Sequence, residues 1–211
     1  MSVKFPPKSL QAVNYETLKK GSRIHRVHLT AFAGNSFNPC GGGQTRFAPL
    51  TDSKGRCVPS LYTGSDLESA IFETIFHDVP AKAKLKTVRK QKISIRTHSE
   101  LKALRSIKLV KLYAPDLMSW GIKRQRLIAS SPALYGMTAK WAEAIHHEFP
   151  KAEGLVWTSN QCDPEKAYLF FGDRVGQADF AITTARDGKT DSSFLGDVRA
   201  AGRRSGILIT L

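Results

Sequence analysis

The chain has 211 residues, 41% hydrophobic and 24% charged, the balance of an ordinary globular protein long enough to bury a core in one domain, with or without appendages. Its formal charge is +14, and +10 of this falls between Lys82 and Lys111, where eleven Lys or Arg stand against one acid, Glu100. A run of about 18 apolar residues, as a membrane-crossing helix needs, is absent, and "MSVKFPPKSL" lacks the apolar core of a secretory signal; with three scattered cysteines (Cys40, Cys57, Cys162) that offer no disulfide framework and no CxxC pair, a reducing cytoplasm is expected.

The first element expected is a helix from Ser9 to Lys20, with Ser9 as N-cap and Gly21 as the stop, so that residues 1–22 form a helical extension. "RIHRVHL", Arg23 to Leu29, alternates as a strand does. A long irregular segment follows, Ala33 to Pro59, carrying "NPCGGGQTRFAP"; three consecutive glycines hold no regular element but let backbone N–H groups approach a ligand closely. After the short strand "VPSLYTG", Ser65 and Glu68 have the spacing of a capping box. The helix they start should reach His77 or Asp78. On it Glu73 shares a face with Ala70, Phe76 and His77.

The basic stretch alternates with apolar residues in "LKTVRKQKISI" and "IKLVKLY", the pattern of strands with one solvated face. "SPALYGMTAKWAEAIHHEF" reads as a helix with Pro132 near its start. "GLVWTSN" (Gly154 to Asn160) and "AYLFFG" (Ala167 to Gly172) read as strands. The tail from Gln177 onward is less periodic and ends in the strand "GILITL". The fold class is therefore α+β.

Most familiar chemistries find no support. His25 and His28, three apart on a strand, point to opposite faces; His146 and His147 diverge on a helix, and H-E-x-x-H is absent. There is no G-x-S-x-G elbow, and "GGGQ" is neither a P-loop nor a dinucleotide fingerprint. What remains is a set of polar residues at the ends or middles of apolar elements: Arg26, Arg46, Tyr62, Glu73 and Ser159. Each alone has an ordinary structural reading. Glu73 is the sharpest case, because "AIFETIF" sets one carboxylate among four large apolar residues, and a buried charge without water or a partner costs several kcal/mol. Either it reaches solvent from a helix edge, or a ligand needs it in a sheltered place.

Taken together these residues resemble the RES-domain toxins, named for an arginine, a glutamate and a serine in that order. The landmarks are "IHRVH" with Arg26, "GGGQTRFAP" with Arg46, "SLYTGSDLESAIFET" with Tyr62 and Glu73 eleven residues apart, and "GLVWTSNQCDPEKAYLFFGDR" with Ser159. The sequence departs from the family in a longer loop, "TRFAPLTDSKGRCVPS", and in Ala48, where an asparagine is frequent. The resemblance assigns residues 23–175 to a catalytic core and 176–211 to a C-terminal extension closing on a strand. It implies an ADP-ribosyltransferase-like mixed β core flanked by helices, NAD+ as substrate and no metal. It also implies a toxin that depletes NAD+ by cleaving the nicotinamide–ribose bond through hydrolysis or phosphorolysis, with a helix-turn-helix antitoxin as partner and pairing into a homodimer.

On this reading Glu73 stabilises the ribosyl cation, and Arg26 and Arg46 bind the pyrophosphate with Gly42 and Gly43 adding backbone donors. Tyr62 stacks on nicotinamide or steadies a ribose, and Ser159 donates to the nicotinamide side. Two alternatives stay open: mono-ADP-ribosylation of a particular protein, and a basic nucleic-acid-binding module using residues 82–111. The scarcity of aromatics in that stretch counts against single-strand recognition. The same charges would equally serve to dock an acidic antitoxin.

Overall fold

Alternation of apolar and polar residues marks strands such as Arg23–Leu29 and Ile107–Lys111, and short apolar runs mark Gly154–Thr158 and Lys166–Phe171. In the computed structural model, which describes residues 3–80 and 82–211, the strands are β1 (Tyr15–Leu18), β2 (Arg23–Leu29), β3 (Leu50–Thr51), β4 (Cys57–Val58) and β5 (Ser60–Gly64), then β6 (Lys86–Arg89), β7 (Arg96–Ala103) and β8 (Ile107–Lys111), and finally β9 (Gly154–Thr158), β10 (Lys166–Phe171), β11 (Phe180–Asp187) and β12 (Ile207–Thr210). The helices are α1 (Leu67–Thr74), α2 (Lys90–Ser94), α3 (Ala114–Ser119), α4 (Arg124–Leu127), α5 (Tyr135–Glu148) and α6 (Ser192–Arg204). The fold is α+β, as expected. Residues 1, 2 and 81 lie outside the described residues, so the start of the expected 1–22 extension does too.

Among the described residues eight strands form one sheet in the order β1-β8-β9-β10-β5-β2-β7-β11, antiparallel throughout except for β8 with β9. The pairing of β2 with β5 is a single residue pair, His25 with Gly64, whereas β2 runs against β7 along its whole length, Arg23 with Lys102 through Leu29 with Arg96. The sheet therefore forks beyond His25, and the fork opens the space that the functional residues occupy. Gly64 sits at its hinge. A Cβ there would lie 2.2 Å from Ser69 Oγ and 2.9 Å from Ala70 N, so only glycine lets the start of α1 pack this closely on β5.

Helix α1 is capped by Asp66, whose side chain accepts from Ser69 N at 2.8 Å while Ser69 Oγ reaches back towards Asp66 N. The capping box is thus one residue later than the Ser65/Glu68 spacing suggests. Ser65 instead bonds Glu165 at 2.7 Å, and Glu68 pairs with Arg204. The large apolar residues of "AIFETIF" (Ile71, Phe72, Ile75 and Phe76) are buried in a cluster with Val27 of β2, Val88 of β6, and Phe194, Val198 and Ala201 of α6. They do not wall in Glu73. They anchor the helix from behind, each large side chain contributing roughly 1.5–3 kcal/mol by its burial. A second cluster lies between the sheet and α3–α5, and a third covers the other face around Ile24, Leu101 and Phe170.

Four further expectations need correction. The segment expected as a helix over Ser9–Lys20 carries strand β1, paired antiparallel with β8; Leu10 is buried, and its N–H goes to Glu148 at 2.7 Å, so tertiary partners outweigh a weak helical propensity. Within "LKTVRKQKISI" only Lys86–Arg89 is extended, and Lys90–Ser94 forms the short α2. The tail is more ordered than its periodicity suggests: β11 joins the main sheet beside β7, α6 packs on α1, and β12 pairs with β6 in parallel. Finally, Cys40 and Cys57 are joined in a disulfide, with Cα atoms 6.3 Å apart, because the β3–β4 hairpin folds Cys57 back against the glycine loop.

Candidate active site

The fork between β2 and β5 opens into a cleft of about 860 Å³, within the ~300–1,000 Å³ typical of small-molecule sites. Its walls come from β2, the glycine loop, β5, α1 and the start of α5. Arg26, Gly42, Arg46, Tyr62 and Glu73, five of the seven residues singled out from the sequence, line it together. Gly43 is the next residue of the same loop, and Ser159 lies behind the wall.

Glu73 is half-buried on the face of α1 turned from the apolar cluster. Its Oε1 accepts from Ser159 Oγ at 2.5 Å and from Asn160 N at 2.9 Å. Ser159 is fully buried. Its oxygen in turn accepts from Gln161 N (3.2 Å) and Cys162 N (3.0 Å), so the turn after β9 pins the hydroxyl. A hydroxyl has one proton to give, and here it goes to the carboxylate. Ser159 thus holds Glu73 in place.

Arg26 Nη1 donates to two backbone carbonyls, Gly34 at 2.8 Å and Ser36 at 2.6 Å. The guanidinium stitches the start of the irregular loop to β2 while still facing the cleft. Burial pushes its pKa down to about 10, so it remains a cation at neutral pH. Arg46 is buried against Ser130, with Nη1 3.2 Å from Ser130 Oγ, and its guanidinium stacks 5.2 Å from the centre of the Tyr135 ring. Its own carbonyl accepts from Thr138 Oγ1. Tyr62 accepts from Phe47 N at 2.9 Å and bonds Thr45 Oγ1 at 3.0 Å. Since Thr45 Oγ1 donates to Ala48 O, the Tyr62 hydroxyl is the donor to Thr45. Tyr62 therefore clamps the loop on both sides of Arg46, and burial raises its pKa well above the ordinary phenol value.

The structure also brings in residues that the sequence did not single out. His77 and Tyr135 line the cleft, with His77 Nε2 3.1 Å from Tyr135 Oη and His77 Nδ1 2.8 Å from Asp78 Oδ1. The helical spacing from Glu73 was the only signal for His77. Trp157 and Thr63 border the cleft too, and Trp157 Nε1 and Thr63 Oγ1 are buried polar atoms with no hydrogen-bond partner; such groups are uncommon unless a ligand or water completes them.

Both histidines of β2, His25 and His28, line the cleft; His25 stacks on His98, with Nδ1 3.0 Å from His98 Nε2. Arg186 donates to His98 Nδ1 at 3.2 Å, which leaves the proton of that ring on Nε2, directed at His25. Burial, then Arg186, pushes His98 down to about 3. Among the described residues no group of three or more His, Cys, Asp or Glu is arranged to hold a metal ion, and no helix is long and apolar enough to cross a membrane.

The basic stretch is divided over the fold. Arg105 is tied to Asp179 at 2.8 Å and to Glu153, and Lys108 lies over the Tyr15 ring. Lys86, Arg89, Lys92 and Arg96 line a shallower groove of about 590 Å³ that meets the cleft at Asp78.

A family model, the RES domain, matches residues 22–189. The chain belongs to the RES-domain family. As a family, RES domains are NAD+-consuming domains linked to toxin–antitoxin systems, and the chain is accordingly of an NAD+-acting class. Comparison with curated proteins returns no match. The RES domain here runs from the residue before β2 through β11 and contains the whole cleft. Helix α6 and β12 follow it, and α6 packs against the back of the helix that carries Glu73.

Proposed function

We propose that this RES domain cleaves NAD+ at the nicotinamide–ribose bond, releasing nicotinamide and passing ADP-ribose to a small acceptor, in the manner of a toxin that depletes NAD+. One observation carries the reading. A carboxylate, Glu73, is fixed by Ser159 and Asn160 at 2.5 and 2.9 Å in a cleft that also presents two guanidinium groups, Arg26 and Arg46.

Loss of nicotinamide leaves an oxocarbenium-like ribosyl cation, the same kind of species as in glycoside cleavage. A carboxylate already held in position stabilises that charge without reorganising at the moment of reaction. Both hydrogen bonds fall on Oε1, so Oε2 is the oxygen offered to the ribose. The pyrophosphate is the other charged part of the substrate, and a guanidinium fork matches its paired oxygens. Arg46, lying over the Tyr135 ring and clamped through Tyr62, is pre-ordered for that task; Arg26 faces the same space from β2. A helix-turn-helix antitoxin is the partner that this reading entails.

The test is to incubate the purified chain with NAD+ carrying a label on the adenine side and to resolve the products. Free nicotinamide with small labelled ADP-ribose products supports the reading. Label that stays in NAD+ overturns it, and label that moves to one protein band of an added lysate turns the activity into protein ADP-ribosylation.

A further inference from the structure

Glu73 accounts for the departing nicotinamide but leaves the incoming acceptor without a base. We propose that Tyr135, His77 and Asp78 form a proton relay that takes the acceptor's proton out of the cleft, and hence that the acceptor is a proton-bearing oxygen, either water or a hydroxyl. The inference rests on the NAD+-cleaving reading and names the acceptor class for that same site.

Three observations converge on it. The first is connectivity. A carboxylate only accepts, so Asp78 Oδ1, 2.8 Å from His77 Nδ1, fixes the imidazole proton on Nδ1. Nε2 is then the lone-pair nitrogen, and the Tyr135 hydroxyl at 3.1 Å donates to it. The phenol oxygen keeps lone pairs with which to receive a proton from a neighbour in the cleft. The second is direction. Tyr135 is only 5% exposed, the His77 side chain is 26% exposed and that of Asp78 is 74% exposed, so the chain of groups leads from the sheltered cleft to solvent. The third is placement. Helix α1 ends at Thr74, short of the expected His77 or Asp78, so His77 stands in the turn just past it and lines the cleft with Glu73, while Arg46 covers the Tyr135 ring; the relay borders both groups assigned to the substrate. Burial raises the Tyr135 pKa, with Arg46 opposing it and Glu73 and Asp78 adding to it, so the phenol enters the reaction protonated. Lys92 holds the other oxygen of Asp78 at 3.3 Å.

In the step itself, the bond from ribose C1′ to the nicotinamide nitrogen breaks and its electron pair leaves with nicotinamide. An oxygen lone pair of the acceptor forms the new C1′–O bond. The acceptor's proton passes to Tyr135 Oη while the proton of Tyr135 passes to His77 Nε2, and Asp78 faces the imidazolium that results. The carboxylate–imidazole pair orients the phenol, in the way a third group orients the base of a nucleophile–base pair.

Azide separates this role from a structural one, because it is a nucleophile with no proton to lose. Nicotinamide release by the full chain would be followed in water and with added sodium azide, for wild type, Tyr135→Phe, His77→Gln and Glu73→Gln. Tyr135→Phe keeps the ring under Arg46, and Asp78→Asn, at an exposed carboxylate, serves as a milder variant that leaves the core untouched. Losing proton transfer to a positioned group lowers the water reaction by about 10²-fold or more. Azide should restore release by Tyr135→Phe and His77→Gln, with ribosyl azide as product, and should not restore Glu73→Gln. Tyr135→Phe and His77→Gln that match wild type in water, or that azide fails to rescue, overturn the relay alone. A wild type that releases no nicotinamide overturns the underlying reading and the relay with it.

Discussion

Replacing Ser159 by alanine tests the geometry around Glu73 most sharply. The Ser159 hydroxyl is fully buried, gives its proton to Glu73 Oε1 at 2.5 Å and takes two backbone N–H bonds, from Gln161 and Cys162. Removing it deletes one bond to a charged group, worth about 1.5–3 kcal/mol, and strands donors that cost roughly 1–3 kcal/mol where water cannot reach them. A net loss near 3 kcal/mol lowers the melting temperature of a chain this size by roughly 6–12 °C. Asn160 N still holds the carboxylate at 2.9 Å, so Glu73 stays in the cleft but with freedom to turn. A misplacement of about 1 Å costs on the order of 10²-fold in rate, so kcat for nicotinamide release should fall about 10- to 100-fold. KM for NAD+ should barely move, because Ser159 faces the acid and not the cleft. Steady-state kinetics beside a thermal melt read both effects. A Ser159→Ala variant with a raised KM and an unchanged kcat would mean that the hydroxyl touches substrate, and the positioning argument would fail.

Other outcomes follow from the same structure. Arg46→Lys keeps the charge but loses the planar fork and the stacking on Tyr135; KM for NAD+ should rise about 10-fold with kcat little changed, and an unchanged KM would remove Arg46 from the phosphate site. Acid should destabilise the fold through His98, whose pKa burial and Arg186 push down to about 3 from 6.5. Because the folded state holds this proton less tightly than the unfolded state, the stability is full above the unfolded value and is lost as pH falls through the window between the two. From about pH 6.5 to 5 the loss is roughly 2 kcal/mol. Urea midpoints at about pH 7 and pH 5 measure it; equal midpoints, or the same drop in His98→Gln, would contradict the assignment.

How far the sequence disclosed this molecule depends on where each signal was stored. Strand β2 and helix α5 show their periodicity because each packs one face on the core, and β9 and β10 show as short apolar runs because they are buried on both faces. Strand β1 did not, since its pairing partner β8 lies far along the chain and no local pattern announces it. Strand β11 is an edge whose central residues are exposed, so no alternation between buried and solvated positions marks it. Helix α6 was readable after the fact: Asp191 caps it, and Phe194, Val198 and Ala201 recur at helical spacing, but Gly196 and Gly202 mask the pattern.

At the site, the identities of Arg26, Arg46, Tyr62 and Glu73 were legible, while their contacts were not. That Tyr62 clamps a loop and Ser159 braces an acid depends on partners 15 and 86 residues away, which only the fold brings together. Tyr135 and Asp78 join the cleft for the same reason.

On the proposed reading Glu73 stabilises charge on the ribose without binding the dinucleotide as a whole, and Glu73→Gln tests this most directly. The glutamine carbonyl can still accept from Ser159 and Asn160, so the fold and the bonds at Oε1 are kept while the charge is lost. NAD+ affinity by calorimetry and single-turnover nicotinamide release should be measured on the same preparation. Affinity should stay within a few-fold of wild type, and release should slow about 10²- to 10³-fold. Release at the wild-type rate by a variant that binds NAD+ normally would contradict the reading.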